Sequence, residues 1–120
     1  MKTSTVIKGS VLLIGVALVV GYYLFNLSLR NNIQLENAGS VTWNKIELKA
    51  GGRIFKIDHL DAGAKKKFLF HSRSEGGGII TGYIGPNLYK SEFGYFTPNL
   101  SEDTAILLND DGSIDIKENF

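Results

Sequence analysis

His59 and His71 are the only histidines in this 120-residue chain, and no other side chain titrates near neutral pH without help from its surroundings. Asp58 and Asp61 flank His59, so an acid–base pair or a metal site is the first chemistry to consider. A metal needs three or four converging ligands, and the two histidines fall in different strand-like segments with no helical spacing to bring them together. The plainer expectation is two solvated or strand-edge histidines. Serines 72, 74, 91 and 101 are scattered, and none sits in a nucleophile elbow or a triad legible in sequence. Gly76-Gly77-Gly78 lacks the Lys-Ser/Thr pair or following helix of a phosphate cradle, so it reads as a hairpin loop.

The acidic residues Glu102, Asp103, Asp110, Asp111 and Asp115 raise calcium as a ligand. Their spacing does not match a calcium-binding loop, and Asn109-Asp110-Asp111-Gly112 has the composition of a tight turn. With no cysteine, the chain has no disulfide, thiol chemistry or thiolate metal site. Neither a catalytic constellation nor a cofactor or metal is expected, and the chain reads as a non-enzyme.

What positions the rest of the chain is residues 11–29, nineteen positions without a charge. As a helix they would extend about 29 Å, close to the hydrocarbon thickness of a bilayer. Tyr22, Tyr23 and Phe25 stand where a signal peptide needs small residues, so the segment is expected to stay as an anchor, with its aromatic rings at the headgroup level. Lys2, Lys8 and the amino terminus precede it, against Arg30 after it. That bias places residues 1–10 in the cytoplasm and residues 31–120 outside the cell membrane, in the periplasm or extracellular space. Ala17 and Gly21 form a small-xxx-small pair that would let two such helices touch, making a homo-oligomer an open alternative to ordinary small residues in an apolar helix.

From residue 31 onward ten Lys/Arg stand against twelve Asp/Glu, leaving the domain near −2. That balance excludes the basic face a nucleic-acid binder requires. The hydrophobic pattern has period two, interrupted by turn signals at residues 37–40, 51–52, 61–63, 85–87, 97–99 and 109–112. Seven or eight short strands and no helical pattern after residue 30 predict an all-β fold, a small antiparallel β-sandwich behind a single membrane helix. Val41 and Trp43 have one parity and Ile46 and Leu48 the other, so a bulge is predicted near Asn44-Lys45. The predicted core is Leu35, Trp43, Ile46, Leu48, Phe55, Ile57, Leu60, Phe68, Phe70, Ile80, Tyr95, Ile106, Leu108 and Ile114.

Two surface features remain. Lys65-Lys66-Lys67 could touch anionic lipid or guard a strand edge. The aromatic hairpin over residues 83–96 supplies the candidate partner-binding residues Tyr83, Tyr89 and Phe96.

Asn37 to Gly39, the Leu-x-x-Gly turn from Leu60 to Gly63, and Gly94-Tyr95-Phe96-Thr97 together resemble small uncharacterised bacterial proteins with one N-terminal anchor and a compact all-β domain outside the inner membrane. The resemblance spans most of the chain and implies a fold and a place, with no mechanism. The function expected is therefore a membrane-anchored binding or accessory module of the bacterial envelope, with the lipid bilayer and an envelope protein as partners. An immunity protein against a periplasmic toxin and a small periplasmic enzyme are the alternatives.

Overall fold

The computed structural model describes residues 16–24 and 30–118. Residues 31–118 form eight strands: β1 (Asn31–Asn37), β2 (Trp43–Ala50), β3 (Arg53–Leu60), β4 (Lys65–Phe70), β5 (Gly76–Ile84), β6 (Asn87–Phe96), β7 (Asp103–Leu108) and β8 (Ile114–Glu118). They make two four-stranded sheets, β4-β1-β7-β8 and β3-β2-β5-β6. All neighbours are antiparallel except β1 and β7, which run parallel with Asn32 opposite Asp103 and Asn37 opposite Leu108. The all-β sandwich is as the hydrophobic alternation predicts.

Residues 16–24 are helical and exposed throughout. Among the described residues no helix is long and apolar enough to cross a membrane. The predicted span of residues 11–29 falls partly on residues 11–15 and 25–29, which lie outside the described residues, as do residues 1–10. Ala17 and Gly21 lie one turn apart on the described helix.

The core fills in two aromatic groups. Phe68 and Phe70 from one sheet meet Phe55, Phe93 and Phe96 from the other, with ring centroids 4.8 Å apart for Phe55–Phe68, 5.3 Å for Phe55–Phe70 and 5.8 Å for both Phe70–Phe96 and Phe93–Phe96. Towards the other end, Trp43 is fully buried beneath Tyr89, with centroids 5.6 Å apart. Ile33, Leu35, Ile46, Leu48, Ile80, Ile106 and Leu108 complete the interior.

Two of the parity changes in sheet β3-β2-β5-β6 are bulges. Asn44 pairs with Tyr83 but Glu47 with Thr81, so Lys45 and Ile46 share the single position opposite Gly82. Lys45 takes φ +47°, the left-handed conformation this bulge requires, and Trp43, Ile46 and Leu48 all reach the core, as predicted. The second bulge was not expected. Gly78 pairs with Phe93 and Gly76 with Phe96, which leaves Gly94 and Tyr95 opposite Gly77. Gly94 takes φ +63°, and the extra residue turns Phe96 inward. Tyr95, predicted for the core by simple alternation, is 54 % exposed instead. The same pairing corrects the glycine run, since Gly76-Gly77-Gly78 opens β5 rather than forming a loop. Phe55, Phe68 and Ile114 are half-buried against the core rather than enclosed by it.

Buried polar side chains close β1 at both ends. Asn31 Nδ2 donates to Phe70 O at 3.4 Å, and its Oδ1 accepts from Glu102 N at 2.8 Å. Asn37 Nδ2 donates to Val41 O at 2.7 Å and Leu60 O at 2.9 Å, while its Oδ1 accepts from Gly39 N at 3.1 Å. Both asparagine side chains are fully buried, and the bonds to Phe70 O and Leu60 O are made away from competing water.

Candidate partner surface

The register separates the two ends of the sandwich. Asn31 pairs with Phe70, and Arg73 N donates to Gly51 O at 2.7 Å, so the β2–β3 turn, the β4–β5 loop and the start of β1 share one end, the Arg30 end. Lys65 pairs with Glu36, and Gly63 N donates to Asn37 O at 2.8 Å, so the β3–β4 turn lies at the other. His59 belongs to that far end, one residue before Leu60, and is exposed. His71 follows Phe70 at the Arg30 end, is half-buried, and its carbonyl accepts from Arg53 Nε at 3.3 Å. The structure therefore does not bring the two histidines together. Among the described residues no three His, Cys, Asp or Glu side chains gather as a metal site.

The acidic residues also divide. Glu102 and Asp103 lie beside Asn31 and Asn32, away from the β7–β8 turn that holds Asp110, Asp111 and Asp115. In that turn Asp111 Oδ1 accepts from Ser113 N at 2.9 Å and Ser113 Oγ at 2.6 Å, and Asp115 Oδ2 accepts from Asn109 Nδ2 at 3.0 Å. The Ser113 hydroxyl and amide hold the Asp111 carboxyl below its ordinary value, and the Ser40 hydroxyl with the Val41 and Ser40 amides does the same to Asp110. These carboxylates are occupied in building turns.

β4 is an outer strand of its sheet, and Lys65, Lys66 and Lys67 are exposed along it. Lys65 Nζ lies 3.1 Å from Glu36 Oε1. A shallow depression of about 330 Å³ runs past them over Gln34, Glu36 and Ala105. The lysines occupy the place where edge charges discourage pairing with another strand.

The three candidate partner residues part company. Phe96 is fully enclosed, because the Gly94 bulge turns it inward, and it belongs to the core instead of a surface. Tyr89 pairs with Gly82 on the inward side and spans from Trp43 to Gly112, closing the space between β6 and the β7–β8 turn. Tyr83 is half-buried on the outer face, opposite Leu88, which is 56 % exposed. Asn44 and His59 continue this row across the sheet, and Lys45 Nζ stands 6.0 Å from the centre of the Tyr83 ring. The adjacent row is mostly charged, Lys56, Glu47, Thr81 and Lys90, and the next alternates apolar and charged, Ile54, Lys49, Ile79 and Glu92. An aromatic and an aliphatic side chain rimmed by charges have the composition of a small protein-contact patch. Leu88 was not among the sequence candidates, since only its pairing with Tyr83 places the two on one face.

No family model matches the chain, and no curated protein matches it. Among solved structures, an NMR structure of a protein from Eubacterium rectale is similar, with a TM-score of 0.53 and 14 % identity over 76 % of this chain and 89 % of that one. At that identity the likeness is one of fold.

Proposed function

We propose that the chain is a membrane-anchored, non-enzymatic binding module of the bacterial envelope, with residues 11–29 in the membrane, residues 1–10 in the cytoplasm and the sandwich outside. The observation that carries the reading is the junction at Arg30. A nineteen-residue uncharged stretch runs into a strand whose first residue, Asn31, is fully buried. Val16, Leu18, Val19, Tyr22, Tyr23 and Leu24 are between 55 % and 71 % exposed, which in water would leave a costly apolar surface. A bilayer covers such a surface. The separation of the two histidines supports binding over catalysis, and the Tyr83–Leu88 row is the surface offered to a protein partner. Tethering raises its effective concentration for membrane-bound partners.

The test is site-specific photocrosslinking of the full-length protein in its native membrane. A photoreactive residue in place of Leu88 is expected to yield a discrete adduct that Tyr83→Ala weakens, while a probe at Lys117 on the opposite sheet yields none. Equal labelling from both positions sinks the assignment of the face. Release of the protein by alkaline carbonate sinks the anchor.

A further inference from the structure

In sequence only Arg30 separates residues 11–29 from β1. Because Asn31 is itself held by Phe70 and Glu102, an anchor over residues 11–29 leaves the Arg30 end of the sandwich a one-residue tether with which to stand away from the membrane. Large exposed apolar side chains gather at that end. Leu100 in the β6–β7 loop is 54 % exposed, Tyr95 on the Gly94 bulge 54 %, Ile54 in the second position of β3 58 %, and Leu69 in the penultimate position of β4 45 %. Arg30, Arg53 and Arg73 lie among them. At the far end the corresponding side chains are Leu88 and Val41.

We infer that the Arg30 end of the sandwich rests on the lipid surface, with Leu100 and Tyr95 entering the headgroup layer. The inference depends on the anchor reading above. Tyrosine and arginine are side chains that lie well at such an interface, with an apolar body in the lipid and a polar tip in water. Glu75, Glu102, Asp103 and Glu118 share this end, so net charge does not draw it to the bilayer. The contact is apolar and forms on zwitterionic lipid. It also grades the run Lys65-Lys66-Lys67. Lys65 pairs with Glu36, five residues or roughly 17 Å along β1 from Asn31, whereas Lys67 pairs with Gln34, three residues or roughly 10 Å along, and is the nearest of the three to the lipid.

The absence of native cysteine makes the test clean. Single variants of the full-length chain, Leu100→Cys, Tyr95→Cys, Leu69→Cys, Leu88→Cys, Val41→Cys and Leu18→Cys, are labelled with an environment-sensitive fluorophore. Each is reconstituted in phosphatidylcholine vesicles containing a lipid spin-labelled near the headgroup or, for position 18, which the span places near the bilayer midplane, one spin-labelled deep in the acyl chain. Quenching at positions 100, 95 and 69 is expected to exceed that at 88 and 41 by roughly twofold or more, and to persist in high salt. All replaced domain side chains are solvent-exposed, and Leu69 on a regular strand guards against a local disturbance of the loop. Quenching at 18 without quenching at 100, 95 and 69 overturns the resting end and leaves the anchor standing. No quenching at 18 overturns the anchor and the inference with it.

Discussion

Asp110 and Ser40, seventy positions apart in sequence, are joined twice: Ser40 N donates to Oδ1 at 2.7 Å, and Ser40 Oγ to Oδ2 at 2.7 Å. Val41 N adds a third bond at 3.1 Å. One carboxylate thus ties the β7–β8 turn of one sheet to the segment that leads into the other.

The Asp110 clamp makes stability depend on pH at the acid end. Its carboxyl is held below its ordinary value in the folded chain because the bonds from Ser40 and Val41 favour the charged form. The stabilisation is fully present above the unfolded value and is lost as pH falls through the lower folded value. Asp110→Ala is expected to lower the melting temperature at pH 7 and to flatten its decline on acidification below about pH 4. Melting curves from pH 2 to 7 on both proteins measure this, and parallel curves would dismiss the clamp.

Asn37→Ala removes a fully buried side chain and strands the carbonyls of Val41 and Leu60 and the amide of Gly39. Leaving such groups without partners costs about 2–4 kcal/mol in urea unfolding. Asn37→Asp is expected to be worse at pH 7, because an ionised carboxylate would face two carbonyl oxygens, and to recover partly in acid. A loss below 1 kcal/mol for Asn37→Ala, by the same accounting, would show that water replaces the bonds.

Lys45→Gly is expected to hold or raise stability, by up to about 1 kcal/mol, since glycine accepts φ +47° without the left-handed penalty of a side chain. Lys45→Val is expected to lower it by at least about 1 kcal/mol, because branching at Cβ is least compatible with that conformation. If both variants behave alike in denaturant titration, the bulge has relaxed.

Gly112 takes φ +86°, and the place of its missing Cβ is occupied by the Tyr89 ring. Gly112→Ala is expected to cost about 2–4 kcal/mol, combining backbone strain with overpacking. In a Tyr89→Ala background the overpacking disappears, so the penalty for Gly112→Ala should fall to about 1–2 kcal/mol. A double-mutant cycle reads the difference directly. Additive effects would mean that the ring does not sit over Gly112.

Phe96→Ala should cost about 3–5 kcal/mol, the range for a large aromatic removed from a packed core. The expected change for Tyr95→Ser is within about 0.5 kcal/mol. Reversal of that order would restore simple alternation in β6 and remove the Gly94 bulge.

These last two residues show what could be read from sequence. The bulge at Lys45 was legible because four apolar residues, Val41, Trp43, Ile46 and Leu48, switch parity around it. The bulge at Gly94 left a subtler trace. Phe93 and Tyr95 satisfy period two as well as Phe93 and Phe96 satisfy an interrupted strand, and only a glycine in mid-strand favours the second. Asn31 and Asn37 sit in the core because carbonyls and amides from other segments meet them there, a condition no local pattern carries. The Tyr83–Leu88 row was half legible. The aromatic residue drew attention, but Leu88 joins it only through hairpin register.

The parallel pairing of β1 with β7 carries a consequence for the order of events in the cell. β1 is the first strand made, yet it lies inside its sheet, and its register with β7 joins Asn32 to Asp103, seventy-one residues downstream. Closing so long a loop is entropically costly and slow compared with forming the local hairpins of the other sheet. Until residue 108 has been synthesised, Ile33 and Leu35 have half their sheet missing and their apolar faces open to solvent. The sheet that holds β1, the strand next to the apolar stretch, is therefore the last to be completed, and the interval before β7 arrives is when a chaperone or a premature stop would have its largest effect.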